Sequence, residues 1–586
     1  MFFQYFLSCG WSCACIYGSI TSFLLWEPAE ENFYPIPQQE PEEYDFIIIG
    51  AGTAGCTLAN RLSEIENWKI LLLEAGDDEP QASNIPAFSP LLQESYLNWN
   101  YKTQPQKSAC LQNNGCNWPR GKVMGGSSSI NYMMYVRGNQ EDYNSWERLG
   151  NAGWSFKKIL KYFTKSEDNR DQEIMEQNPQ YHKSGGYQKV QKFPYLDSNA
   201  KIILKALEEL GYKQTDINGE TQLGSMIIQT TSVNGSRESA NKAFIQSIKH
   251  KRSNLFIKKK VLVNKILIDF TTNKTTGVEY FSIVTGESKT AKVKKEVILS
   301  AGSVNGPKLL MLSGIGLSEE LKKHEIPVVK NLSVGLNLQD HVSFFGITVR
   351  MNETNSTCDG KLEDFYHYLE GHNGPLSSTG VTSVTTFMQT NCTLINDTAP
   401  DVQLMFSGTG ELFSYYDKFN IMTVLLTPVS RGFIRLNSDE PVWGEPLIYP
   451  SYFEAKQDID RMLQAVRMTL NLFNTTVFRK NQFLLVKDTK LPCSKFLFNS
   501  DKYWLCQMKQ YTSTVFHPVG TCKMGPADDS EAVVDTRLRV HGVKGLRVID
   551  ASIMPIIPRG NINAATMMIA EKGSDMIKED WKEKVT

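Results

Sequence analysis

The stretch Asp45–Glu74, DFIIIGAGTAGCTLANRLSEIENWKILLLE, constrains this chain more than any other. Phe46-Ile47-Ile48-Ile49 is a short continuous apolar run, the pattern of a strand buried on both faces of a parallel sheet. Gly50-Ala51-Gly52-Thr53-Ala54-Gly55 follows at once, Cys56 to Leu62 reads as a helix, and Ile70 to Leu73 supplies a second strand ending on Glu74. A strand, a glycine-punctuated turn, a helix, a strand and a terminal acid within about thirty residues form a dinucleotide-binding βαβ unit. Gly50 is expected to allow the tight turn, Gly52 to let backbone approach a pyrophosphate, and Gly55 to let helix pack on strand. Thr53 and Ala54 stand where the helix N-terminus offers free N–H groups and partial positive charge to that pyrophosphate. Glu74 is placed to accept hydrogen bonds from an adenosine ribose. The motif serves FAD and NAD alike, so other residues must choose between them.

At 586 residues the chain is long for one core, and two domains are expected. Its 62 basic and 63 acidic residues nearly cancel, with no long block of one sign. That argues against a nucleic-acid partner and against a polybasic membrane patch. Residues 1–25, MFFQYFLSCGWSCACIYGSITSFLL, are uncharged, apolar and rich in small side chains. They read as a secretory signal peptide cut near Gly18 to Ser22, although the basic n-region is missing and an uncleaved anchor is the competing view. Eight glycosylation acceptors support secretion: Asn234, Asn273, Asn331, Asn352, Asn355, Asn391, Asn396 and Asn474. No membrane span is expected beyond the leader.

Of the eleven cysteines, Cys110 and Cys116 bracket one polar loop and Cys493 and Cys506 flank another, so either pair could close a local disulfide. Cys358 and Cys392, both beside acceptor sites, form a further candidate pair. Cys56 reads as a small buried residue. No cysteine or histidine cluster has zinc spacing, so no metal is expected.

The second informative run is Trp118-Pro119-Arg120-Gly121-Lys122-Val123-Met124-Gly125-Gly126-Ser127-Ser128-Ser129-Ile130-Asn131, continued by Tyr132 to Gly138. Glycine and serine at that density make a loop whose bare backbone can lie against a ligand. This run resembles the first signature of the glucose-methanol-choline (GMC) flavoprotein oxidoreductases. Gly302 to Gly316 resembles the second, with Gly306 where Ser or Thr is usual, and Val334 to His341 is a further match. The resemblance extends over about residues 44–580, and the leader and acceptor sites are similar to those of the secreted insect branch related to glucose dehydrogenase.

The resemblance implies FAD. It carries cofactor contacts to Val123, Gly125, Gly126, Ser127, Asn131 and Val136, to the Val263 backbone on the adenine side, and to Asp550 and Ala551 beside the flavin. Relatives with covalent flavin hold it through a His whose place here is Ile130, so non-covalent FAD is expected. The implied fold is α/β: a Rossmann-like FAD-binding domain with an α+β substrate domain on an antiparallel sheet. The expected division is 44–341 for the first part of the FAD domain, 342–503 for the substrate domain and 504–580 for the return.

A lone histidine is more often packed than catalytic, and His341 in the Asn337-Leu338-Gln339-Asp340-His341 run reads as structural. His517 differs, because Thr514 to Gly525 matches the family's catalytic HPxGT motif. Asn561 falls where family members carry His or Asn. By itself it also reads as the N-cap of a helix over Thr566–Lys578. Arg559 and Ala565 depart from close insect patterns beside it. Alcohol oxidation removes a proton from oxygen and a hydride from carbon. By the resemblance, flavin N5 takes the hydride, His517 the proton, and Asn561 orients the alcohol oxygen. The expected activity is oxidation of a CH–OH group of an alcohol or sugar, with electrons leaving to oxygen or a quinone. Glucose, an aromatic alcohol and an ecdysteroid are open substrates. A hydroxynitrile-lyase-like enzyme and a catalytically silent paralogue are the alternatives.

Overall fold

The computed structural model describes residues 41–351, 358–391, 399–409 and 415–582. The expected leader, Cys392 of the Cys358–Cys392 pair, and the acceptors Asn352, Asn355 and Asn396 lie outside these residues.

Strand β1 (Glu43–Ile49) leads into helix α1 (Thr53–Leu62) and strand β2 (Ile70–Leu73), which pairs parallel with β1 from Phe46↔Ile70 to Ile49↔Leu73. Every residue of both apolar runs is buried, which is why they show no polar alternation. Strand β3 (Leu255–Lys258) extends the parallel sheet beyond β2. Strands β4 (Val261–Asp269), β5 (Lys274–Ser282) and β6 (Glu287–Leu299) form an antiparallel meander. The distal half of β6 then runs parallel to β1, and Leu546–Val548 pairs with its far side. The chemistry of β6 changes accordingly: its first half is largely exposed, while Val297 to Leu299 are fully buried. Helix α2 (Gly302–Leu312) leaves the end of β6, and helix α3 (Asn563–Asp580) lies against α1. Thr53 Oγ1 donates to Asn563 Oδ1 at 2.7 Å, and the buried Arg61 guanidinium meets Glu571 Oε1 at 2.7 Å.

The second sheet is antiparallel throughout. Its centre is β7 (Val342–Arg350), β8 (Val384–Met388), β9 (Val402–Gly408) and β10 (Lys418–Leu425), in the order β7-β10-β9-β8. Gly224–Ile227 adds to the β8 edge, and Leu484–Leu485 and Thr512–Thr514 pair with β7. The sheet therefore draws strands from outside 342–503, on both sides of that span. Side chains alternate between two cores, as the pleat requires. Leu404, Phe406 and Ile421 join one cluster, whereas Met405, Met422 and Val424 join another. Helix Lys456–Leu470 covers the first face, bringing Thr469 Oγ1 to 3.5 Å from Thr423 Oγ1.

Cys110–Cys116 and Cys493–Cys506 are disulfides with Cα separations of 5.4 and 5.5 Å, whereas Cys56 and Cys522 are buried free thiols. Asn241–Gln246 forms a short π-helical turn. Of the described acceptor asparagines, Asn234, Asn331, Asn391 and Asn474 are exposed and Asn273 is half-buried. No helix among the described residues is long and apolar enough to cross a membrane.

Candidate active site

A cavity of about 1010 Å³ opens where the C-terminal ends of the parallel strands meet the antiparallel sheet. Ligands of open α/β sheets bind at the carboxyl ends of the strands. Gly50, Gly52, Thr53 and Ala54 border the cavity, as do Glu74, Val263, Gly126, Ser127, Asn131, Asp550 and Ala551, with His517 and Asn561 also on its wall. Gly55, Val123, Gly125 and Val136 do not.

The glycines divide the work as steric logic demands. Gly50 turns at φ +95°, and a Cβ there would sit 2.6 Å from the Ser300 carbonyl oxygen. At Gly55 a Cβ would fall 1.8 Å from the Gly50 carbonyl oxygen, so this position is closed by packing rather than opened to a ligand. Gly52 is the opposite case: its nearest neighbour would be Gly126 Cα at 3.9 Å, leaving bare backbone on the cavity. Gly126, at φ +56°, packs so tightly on Gly52 that its own Cβ would lie 2.7 Å from Gly52 Cα. Gly125 joins the two loops from behind, its amide donating to the Ala51 carbonyl at 2.7 Å. Val123 is fully buried with Leu92, Leu97 and Ile130, and Val136 is held by Gly560, where a Cβ would meet Val136 Cγ1 at 2.5 Å.

Glu74 accepts from the Ala51 amide at 2.8 Å and the Gly76 amide at 2.9 Å, one on each carboxylate oxygen. Burial outweighs these bonds and pushes its pKa up to about 7. Each oxygen keeps lone-pair capacity for a further donor. Nearby, Ser303 Oγ and Asn264 Oδ1 are buried and without protein partners on residues that border the cavity. Bare glycine backbone, a helix N-terminus, an acid at the second strand's end and unsatisfied polar atoms together fit a polar dinucleotide.

His517 stands on the cavity wall, on a sharp turn whose preceding residue, Phe516, adopts φ +66°. Asp340 Oδ1 accepts from the His517 amide at 2.9 Å, while Asp340 Oδ2 accepts from Thr514 Oγ1 at 2.5 Å and from the Tyr452 hydroxyl. Arg120 Nη2 donates to the Phe516 carbonyl at 2.6 Å. Backbone held at this many points fixes the ring. His517 Nε2 lies 3.2 Å from Asn561 Nδ2, and its Nδ1 lies 3.0 Å from His341 Nδ1. An amide N–H facing Nε2 requires a lone pair there, so the neutral ring carries its proton on Nδ1, shared with His341. Burial holds His517 well below the usual histidine range, reinforced by His341 and Arg120, and burial brings His341 down to about 3.

Asn561 is not a helix cap. Ile562 occupies the cap position of α3, and the Asn561 amide instead spans from His517 to Gln403, whose Nε2 is 3.5 Å from Asn561 Oδ1. Sequence reasoning took His341 as structural and passed over Gln403. His341 packs as expected of a structural residue, but against the His517 ring itself, at 5.2 Å between centroids. Gln403 had a local signal, an amide inside the apolar run Val402-Gln403-Leu404-Met405-Phe406. Such a group, when buried, needs a polar partner.

The GMC oxidoreductase family models match residues 44–343 and 428–570, more than half of the chain. The chain belongs to the GMC oxidoreductases. It is 42% identical to a glucose dehydrogenase [FAD, quinone] of Drosophila melanogaster over 563 residues, covering 94% of this chain and 89% of the relative. An ecdysone oxidase of Bombyx mori is 36% identical over 577 residues, 93% and 83% of the two chains. Among solved structures, a variant of Aspergillus oryzae formate oxidase superimposes with a TM-score of 0.81 at 26% identity, covering 93% of this chain and all of that one.

Proposed function

We propose that the protein is a secreted FAD-dependent oxidoreductase that oxidises the CH–OH group of an alcohol or sugar to a carbonyl, with His517 as the base. The observation that carries this reading is the His517–Asn561 pair, 3.2 Å apart on the wall of the cavity that Gly50, Gly52 and Glu74 also border. Residues 44–341 and 504–580 form the cofactor-binding part and 342–503 the substrate part, with Gly224–Ile227 and Thr512–Thr514 completing the latter's sheet. FAD, held non-covalently since Ile130 offers no linking atom, supplies the hydride acceptor when bound.

The remaining chemistry belongs to the chain. A substrate hydroxyl seated between the two side chains donates its proton to His517 Nε2, whose lone pair faces that point. The proton already on Nδ1 is held against His341, so the ring does not turn. Asn561 Nδ2 donates to the same oxygen and stabilises the charge that builds on it as the proton leaves. Gln403 in turn keeps the amide oriented by donating to Oδ1. Electrons leave to oxygen or to a quinone. The quinone has the support of the Drosophila relative's name.

Anaerobic mixing of the FAD-loaded protein with alcohols tests the reading. Loss of the oxidised flavin absorbance supports an oxidoreductase, and an unchanged spectrum with every alcohol points to the lyase-like or silent alternative. Admitting air afterwards separates an oxidase from a quinone-dependent dehydrogenase. Asn561→Ala is expected to lower the rate of flavin reduction by about 10²–10³-fold, as for loss of one oxyanion donor. An undiminished rate would remove Asn561 from its role.

The pH profile provides a further check. Because burial lowers the His517 pKa, the proton-accepting form persists as pH falls through the ordinary value of 6.5. The acid limb of kcat/KM for alcohol is therefore expected well below pH 6.5, with no loss attributable to His517 between about pH 6.5 and 8. An acid limb centred at or above 6.5 would contradict a buried neutral base.

A further inference from the structure

We infer that the alcohol taken by this site is carried on an apolar or aromatic skeleton and is not a sugar; the inference rests on His517 and Asn561 being the reacting pair. Gln403 reaches Asn561 from β9, so the face of the antiparallel sheet that bears Gln403 is the one turned toward the pair. Two residues along β9 on that face stands Met405, directly opposite Met422 of β10. These two thioethers pack in one cluster with Met134, Phe345 and Val515, and all five side chains border the cavity. Val515 is two residues before His517, so this cluster adjoins the reacting pair directly.

Of β9 and β10, only Met405, Ser407 and Met422 border the cavity. Ser407, next along the same face of β9, contributes one hydroxyl, which donates to the Gly408 carbonyl at 3.3 Å. The charged groups that border the cavity are bound within the protein, Glu94 and Glu445 excepted. Glu74 is bound by the Ala51 and Gly76 amides, Asp550 by Gly302 and Ser552, and Arg120 by the Pro119 and Phe516 carbonyls. Lys308 donates to the Gly444 carbonyl at 2.8 Å, and Glu94 and Glu445 are exposed.

A hexose entering the chamber that this cluster lines would exchange the water on several hydroxyls for methyls and a phenyl ring, which replace none of the lost hydrogen bonds. An aromatic or aliphatic alcohol sheds only apolar surface and keeps its single hydroxyl for His517 and Asn561. Three flexible thioethers also adapt to varied shapes. The site is thus suited to a range of bulky apolar alcohols, each giving the corresponding aldehyde or ketone.

The test uses the full FAD-loaded protein, mixed without air with cinnamyl alcohol or with glucose at equal concentrations. Cinnamyl alcohol is expected to reduce the flavin at least about a hundredfold faster, the order of discrimination that unpaired hydroxyls impose. Glucose reducing it as fast or faster overturns the inference while leaving the proposed activity standing. If neither these nor any other alcohol reduces a flavin that dithionite does reduce, the proposed activity falls. The chamber is then read from perturbation of the flavin spectrum by binding alone: half-saturation at lower cinnamyl alcohol than glucose upholds the inference, and the reverse overturns it. Met405→Gln, close in volume but polar, is expected to raise the cinnamyl alcohol concentration needed for half-saturation about tenfold. No change would take Met405 out of the chamber and overturn the argument built on it.

Discussion

Replacing His517 with alanine is expected to lower the rate at which an alcohol reduces the bound flavin by about 10²–10⁴-fold, the usual contribution of a positioned base. The flavin itself should stay in place, because Gly50, Gly52 and Glu74 form the cradle and Glu74 is held by the Ala51 and Gly76 amides, not by His517. The contrast matters. A variant that loses activity together with its flavin has lost structure, whereas one that keeps a full complement of flavin and stays oxidised under substrate has lost its proton acceptor. Asp340 and Arg120 hold the N–H and C=O of the Phe516–His517 peptide and remain in the variant, so the loop has little reason to collapse. Retention of the wild-type rate by the flavin-loaded variant would refute the role given to the imidazole.

The second large effect is at Gly55. A methyl group there would lie 1.8 Å from the Gly50 carbonyl oxygen, and the opposing atom is backbone of a strand-to-helix turn that cannot swing aside. Gly55→Ala is expected to cost about 3 kcal/mol or more, at or beyond the upper end for overpacking, and to yield protein with little flavin. Gly52→Ala is the informative companion. Gly52 has φ −77° and ψ −165°, which alanine adopts freely, and its Cβ would meet nothing nearer than Gly126 Cα at 3.9 Å. That methyl stands on the cavity instead, so the variant is expected to melt near the wild-type temperature and yet bind FAD more weakly. Thermal unfolding and flavin-to-protein absorbance ratios separate the two outcomes. A fully flavinated, equally stable Gly55→Ala protein would show that α1 does not press on the turn as described.

The same contrast between local and distant contacts decides which parts of the molecule are legible in the sequence. The βαβ unit is legible because its information is local: four consecutive buried residues, then glycines whose spacing is set by one turn. The disulfides at Cys110–Cys116 and Cys493–Cys506 are legible for the same reason, being 6 and 13 residues apart. The extent of the antiparallel sheet is not, since Gly224–Ile227 joins β8 and Thr512–Thr514 joins β7 across long stretches of chain, and nothing within a three- or four-residue strand announces its partner. His341 lacks a signal for a similar reason: its contact with His517 spans 176 residues. Asn561 is ambiguous between capping a helix and facing a substrate, because both uses call for the same short amide at the same place. Only the position of Ile562 in the cap separates them.

The pairing of Thr53 with Asn563 and of Arg61 with Glu571 bears on how the protein is made. The cradle is emitted by the ribosome early, but the helix and strand that brace it, and the imidazole and amide that complete the pocket, emerge hundreds of residues later. Closing contacts that distant demands that most of the chain collapse first, a slow step compared with local helix formation. Capture of the prosthetic group is therefore a late event in biogenesis, and until it occurs the nascent α1 and its strands have an apolar flank with no permanent cover.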